Sequence, residues 1–145
     1  MTNEVHKEGV VSVFLGTAPS KQVFDDYLQE TYHGDSPGIN FTCPLWDDLG
    51  VGWLDHDFQD AVYEGDIPVA LDVFLAELIS YIDSFRADVI KACARLGIDN
   101  VNAGVFLYNF AYPSARPFRS SFLRFVGTFP YTIPRSEWLE DLLRR

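Results

Sequence analysis

Val10-Val-Ser-Val-Phe-Leu-Gly16 is the stretch that sets the fold. β-Branched and aromatic residues suit a pleated, buried surface, and Gly16 ends the run after too few residues for a helix. It predicts a buried strand over residues 10–15, and a buried strand needs neighbours. Two further runs supply them. Val101 to Tyr112 contains Val105, Phe106, Leu107, Tyr108 and Phe110 before Pro113 stops it. Phe122-Leu-Arg-Phe-Val-Gly-Thr-Phe129 is bounded by Pro130 and Pro134. The loop Pro113-Ser-Ala-Arg-Pro117 between them is short, so these two runs are expected to form an antiparallel hairpin. The fold class that follows is α+β. Strands near 10–15, 102–112 and 120–129 make a small antiparallel sheet, open to a fourth strand and covered by helices.

The helices come from spacing and caps. Ser20 after Pro19 caps a helix whose apolar face is Val23, Phe24, Tyr27 and Leu28, with Asp25, Asp26 and Glu30 opposite. It is expected to run to about Tyr32 and to end in the turn formers of residues 33–38. Pro44 suits the first turn of a short helix broken by Gly50 and Gly52. Residues 51–55 are expected to be extended, with helical character after them. Pro68 to Ile79 is dense enough in apolar residues for a buried helix. Asp83 or Ser84 caps the next one, with Phe85, Val89, Ile90, Cys93 and Leu96 inward, Arg86, Lys91 and Arg95 outward, and Gly97 closing it. Ser136 caps a last turn carrying Trp138, Leu139, Leu142 and Leu143.

At 145 residues, 48% hydrophobic and 15% aromatic, one domain spanning 1–145 with a real core is expected, and disorder is not. Cys43 and Cys93 are too few for a disulfide framework and lack C-x-x-C spacing, so reduced, partly buried thiols are expected. The N-terminus has no signal-peptide pattern. The best apolar run, Ile67 to Ile79, is interrupted by Pro68, Asp72 and Glu77, so no membrane span is expected and the protein is expected to be soluble and cytoplasmic.

Charge is the unusual feature. The net charge of −10 conceals a polarised chain: residues 22–85 carry fourteen acids and neither Lys nor Arg, residues 1–21 sum to zero, and residues 86–145 sum to +4. The densest part is Trp46 to Asp66, with Asp47, Asp48, Asp55, Asp57, Asp60, Glu64 and Asp66 interleaved with Trp46, Trp53, Phe58 and Tyr63. Such a surface repels nucleic acid and anionic lipid and attracts a basic protein. Large aromatics usually bury, so the four aromatics are expected mostly in the core and the acids between them on a solvated face. An ordinary solvated face mixes signs, however, and one-signed patches steer association with a partner.

Catalytic patterns are sparse. Asp55-His56-Asp57 is the one crowding of metal-ligand types, but adjacent strand residues point to opposite faces and no second histidine stands at ligand spacing. Neither cysteine has a nucleophile motif, no Gly-x-Ser-x-Gly elbow occurs, and Gly50-Val-Gly52 lacks the rest of a phosphate loop. No catalytic residue, metal ligand or cofactor is assigned.

Several segments in order carry a resemblance: Val11-Ser-Val-Phe-Leu-Gly16, Phe24-Asp-Asp-Tyr-Leu28, Gly52-Trp-Leu-Asp-His-Asp-Phe58, Ser84-Phe85 opening a helix that ends at Leu96-Gly-Ile98, Val105-Phe-Leu-Tyr-Asn-Phe-Ala-Tyr112 and Leu123-Arg-Phe-Val-Gly-Thr-Phe129. Together, over roughly residues 10 to 132, they resemble the immunity protein 22 family of bacterial polymorphic toxin systems. The resemblance implies a small cytosolic α+β protein, encoded beside a secreted toxin, that binds the toxin domain and blocks it without catalysis. The Trp53-Leu-Asp-His-Asp-Phe58 match is the interaction element it suggests.

Resemblance and charge therefore point to an immunity protein that occludes a basic toxin domain, a nuclease among the candidates. The partner-binding residues expected are Asp47, Asp48, Trp53, Asp55, Asp57, Asp60, Glu64 and Asp66. Neutralising Asp55, Asp57 and Asp60 together is expected to weaken binding without unfolding the chain. The alternatives are a small carboxylate- or metal-dependent hydrolase centred on Asp55, His56 and Asp57, and a housekeeping binding domain whose acidic face is merely solvated. Oligomeric state is left open.

Overall fold

Strand β1 (His6–Gly16) is the axis of the structure, a computed structural model that describes residues 5–34, 41–76, 79–134 and 143. Residues 11–15 are fully buried because β1 has a strand on each side and a layer on each face. Its neighbours are β7 (Ala103–Phe110) and β8 (Leu123–Pro130), and β4 (Gln59–Tyr63) lies outside β7, so the sheet order is β4-β7-β1-β8. All pairings are antiparallel, with Val13 opposite Phe106 on one side and Gly127 on the other. The α+β class and the helix-covered antiparallel sheet expected from the sequence are therefore present.

The expected hairpin is not. β1 lies between β7 and β8, which run parallel to each other because both oppose β1. Parallel strands need a crossover of about a dozen residues, and residues 111–122 provide it. The crossover lays Tyr112 and Phe118 on Phe14, with ring centroids 5.8 and 4.7 Å away. A run as apolar as β1 gains more in the middle of the sheet, where both faces bury, than at its edge.

Alternate side chains of β1 feed two cores. Val11, Val13 and Leu15 pack with Phe106 and Tyr108 against α3 (Leu71–Phe74) and α4 (Arg86–Leu96). Phe14 packs with Val105, Leu107 and the crossover against α1 (Lys21–Tyr27) and α2 (Pro44–Leu49). Ser12, also fully buried, donates to the Phe110 carbonyl and accepts from Tyr112 N at 3.0 Å, so its hydroxyl is satisfied.

Local signals hold at several points. Ser20 accepts from Val23 N as the cap of α1, Pro44 opens α2, and Gly50 and Gly97 close α2 and α4 in the left-handed conformation. Others give way. The first helix stops at Tyr27, because Thr31 and Tyr32 form strand β2 (Thr31–Tyr32) against β3 (Phe41–Thr42). Pro68–Ile79 contributes strand β5 (Val69–Ala70), paired with β6 (Asn100–Val101), and the short α3, in place of one long helix. Neither Asp83 nor Ser84 caps α4: residues 82–84 form a 3-10 turn, Asp83 pairs with Arg86 at 2.8 Å, and Phe85 takes the cap position. The final turn expected at 136–143 lies outside the described residues except Leu143. Among the described residues no helix is long and apolar enough to cross a membrane.

Candidate functional site

The acidic stretch begins on α2, which Leu45, Trp46 and Leu49 anchor in the second core. Trp46 is thus a core residue, leaving Asp47 exposed and Asp48 half-buried at the surface of the helix. Arg116 reaches in from the crossover to donate to the Leu49 carbonyl at 3.0 Å, satisfying an orphan acceptor at the end of the helix. Past Gly52 the chain runs without regular secondary structure through Trp53 and Leu54, turns at a 3-10 element (His56–Phe58), and enters β4. No strand forms over residues 51–55, where Asp55 has an extended backbone, and helical character is confined to that one turn. Residues 59–63 are the fourth strand, in register with Leu107 to Ala103.

The acids divide into two kinds. Three accept hydrogen bonds from tyrosines: Asp48 from Tyr27 at 2.7 Å, Asp66 from Tyr63 at 2.5 Å, and Asp60 from Tyr108 at 3.1 Å. A hydroxyl is a neutral donor, so it orients a carboxylate without cancelling its charge. Burial chiefly, with the neighbouring carboxylate adding to it, raises Tyr27 and Tyr108 far above the ordinary tyrosine range. Tyr63, held mainly by its bond to Asp66, is pushed up to about 12. Each tyrosine therefore stays a donor at neutral pH. Glu64 follows β4, its backbone N–H donating to Asn102 O at 2.8 Å.

The second kind gathers around the 3-10 turn. Asp55 caps it, accepting from Asp57 N at 2.9 Å, and the Asp57 side chain is 81% exposed. His56 Nδ1 lies 3.2 Å from Glu30 Oε2, and its Nε2 lies 3.8 Å from Asp57. Burial raises the Cys43 thiol, with the Glu30 and Asp47 carboxylates adding to the shift. Glu30, His56, Asp57 and Asp55 thus form a chain of neighbours. Glu30 was not among the residues expected from sequence. It is 26 positions from His56 and only the fold joins them.

Asp60 belongs elsewhere. It stands opposite Phe106 in β4, so it points to the α3 and α4 face, where it also accepts from Ser80 N at 2.7 Å. The sheet therefore splits the acidic stretch, with α2 packed on one face and the Asp60 carboxylate turned to the other.

Two of the four aromatics are not buried. Trp53 is 60% and Phe58 50% exposed, while Tyr63 is half-buried and stacks on Phe24 with centroids 5.8 Å apart. Trp53 and Phe58 line a cavity of about 310 Å3 that reaches Val51, Leu54, Leu107 and Phe110. Asn109, also on its wall, has φ 58°, a left-handed conformation that asparagine tolerates better than other residues with a side chain. Its Oδ1 accepts from Gly9 N and from the Tyr131 hydroxyl, both at 2.9 Å, which fixes the bulge where β1 loses register with β7.

Asp55 is turned onto its own loop and His56 onto Glu30, and among the described residues no three His, Cys, Asp or Glu side chains come together to hold an ion. Both cysteines are free and buried, and burial pushes Cys93 up to about 11.

A family model described as Immunity protein 22 matches residues 11–132, from the centre of β1 to just beyond β8. Searches of curated proteins and of solved structures returned no match.

Proposed function

The chain belongs to the Immunity protein 22 family, and from that premise we propose that it neutralises a basic toxin domain by seating the acidic residues around its 3-10 turn in the toxin's cleft. An immunity role, with a cognate toxin as partner, comes with the family. The basic character of the toxin, a nuclease fold being the natural example, rests on one observation: exposed Asp57 adjoins Asp55 and, through His56, Glu30, and exposed Asp47 belongs to the same window of the sequence without Lys or Arg. Lys21 and Arg86, the cations flanking that window, pair with Asp25 and Asp83 at its two ends, each at 2.8 Å.

Inhibition in this proposal is occlusion. The carboxylates compete for cations that would otherwise bind a polyanionic substrate, and exposed Trp53 supplies contact area beside them. The protein works as a single domain in the bacterial cytoplasm, in a polymorphic toxin system, and performs no chemistry of its own. Asp55, Asp57, Asp47 and Trp53 carry the interface, with Asp48, Glu64 and Asp66 at its margin.

The test is co-expression with the toxin domain encoded beside it, followed by association kinetics at rising salt. A stable complex whose association slows steeply with ionic strength, and cells protected from the toxin, are expected. No complex with that domain, or one indifferent to salt, would overturn the proposal.

A further inference from the structure

We infer that the cavity between Trp53, Phe58 and the end of β7 is the anchor socket of the interface, and that it takes one large apolar side chain presented among Lys or Arg residues. This deepens the function proposed above and rests on it. At about 310 Å3 the cavity is at the small end of ligand sites and suits a side chain better than a cofactor. Small-molecule sites also aim a few polar groups inward to fix orientation. Here Asn109 Oδ1 is already engaged by Gly9 and Tyr131 and an Asp55 oxygen by the Asp57 amide, while the Tyr108 hydroxyl is held by Asp60 and Ser80 on the other face of the sheet. What is left facing the hollow is chiefly apolar, from Val5, Val51, Trp53, Leu54, Phe58, Leu107 and Phe110, with the exposed His6 as the remaining polar side chain of the lining.

Charge chooses the occupant. Asp55 lines the cavity, Asp57 adjoins it, and the loop and turn from Val51 to Phe58 that form one wall lie within the window that has no Lys or Arg. An apolar residue flanked by cations meets both features at once. A second copy of this chain would bring a net charge of −10 against the same rim. Aromatic anchors seated in apolar pockets that a partner closes off from water are where binding energy concentrates in protein interfaces.

Two capped pentapeptides test this on the full chain: Lys-Arg-Trp-Arg-Lys and Lys-Arg-Ala-Arg-Lys, titrated at low salt and followed by amide chemical shifts. The tryptophan peptide is expected to bind with Kd below about 1 mM and to shift Leu54, Phe58, Leu107 and Phe110 most. The alanine peptide is expected to bind about ten-fold more weakly and to leave Leu107 and Phe110 unmoved. Trp53→Ala with Phe58→Ala, both at exposed positions, should abolish the difference while the urea midpoint stays near wild type. Equal binding of the two peptides, shifts that follow the carboxylates alone, or no localised binding would overturn the inference. So would dilution-dependent shifts at these residues without peptide, which would put a second copy in the socket. Failure here with an intact toxin complex would sink the socket and spare the immunity function; peptide binding without a toxin complex would do the reverse.

Discussion

The Asp60 carboxylate lies 3.1 Å from the Tyr108 hydroxyl and 2.7 Å from Ser80 N, on the opposite face of the sheet from α2. It therefore ties the edge strand β4 to its neighbour β7 and to the segment after α3. The sequence grouped Asp60 with Asp55 and Asp57 as one binding set, and the fold separates them. Asp60→Ala is expected to destabilise the protein by about 1–2 kcal/mol, because a charged acceptor of two hydrogen bonds is lost. Toxin association should change less than about two-fold at moderate salt, since the side chain is turned away from the socket. Urea melts and stopped-flow binding separate the two effects. A well-folded variant that binds poorly would place Asp60 back in the interface.

Stability is expected to respond to alkaline pH. Tyr27 and Tyr108 are held above their ordinary value near 10, burial being the main cause, and Cys93 sits at about 11 against 9.0. In each case the folded state holds the proton more tightly than the unfolded state. The stability this contributes is complete below the unfolded value and is lost as pH rises toward the folded one. The urea midpoint is therefore expected to be insensitive to these groups at neutral pH, to begin falling above about 9, and to fall more steeply above about 10 as the tyrosines join. Tyr108→Phe should flatten the upper limb. A midpoint unchanged up to pH 11, or an upper limb as steep in the variant, would contradict this account.

The end of β1 offers a test of close packing with a built-in control. A methyl at Gly16 would lie 1.7 Å from the Phe122 carbonyl oxygen and 3.0 Å from Leu123 Cα, all backbone that the crossover cannot move freely. Gly104 would instead meet Leu15 and Phe74 side chains at 2.9 and 3.0 Å, which can shift. Gly16→Ala is expected to cost about 3 kcal/mol or more, Gly104→Ala about 1–2 kcal/mol, by thermal or urea unfolding. The reverse order would mean that the crossover is not seated against β1 as described.

How much of this was legible beforehand follows from which forces are local. The buried run at Val11 to Leu15, the Ser20 cap, Pro44 and Gly97 act within a few residues, and the sequence placed the corresponding strand and helix ends correctly. Strand β4 escaped notice because its period-two pattern is weak: Asp60 stands where a core residue is expected, its charge accommodated only by Tyr108 and Ser80 from distant segments. The false hairpin had a different origin. Pro113 to Pro117 reads as a turn, while the span from Phe110 to Leu123 is long enough to cross β1, and chain order alone does not reveal a strand inserted between two others. Glu30 beside His56, Asn109 at a positive φ, and the exposure of Trp53 likewise depend on tertiary contacts that leave no spacing signal.

Charge and socket should act on different halves of the binding reaction. Rim charges chiefly set the association rate, whereas a desolvated anchor chiefly sets dissociation. Asp47→Asn, Asp55→Asn and Asp57→Asn combined is the appropriate charge variant: asparagine keeps the Asp55 cap on the 3-10 turn, and the exposed Asp47 and Asp57 carboxylates can be neutralised without opening a core. At low salt the association rate with the toxin domain is expected to fall about ten-fold, with a shallower salt dependence, while dissociation changes little. Trp53→Ala should do the opposite, quickening dissociation and leaving the salt slope intact. Asp55 and Asp57 adjoin each other on the turn, well within a screening length of about 8–10 Å, so the effect of the triple need not equal the sum of the singles. A triple variant that associates at the wild-type rate, with the wild-type salt slope, would show that the toxin approaches some other face of this molecule.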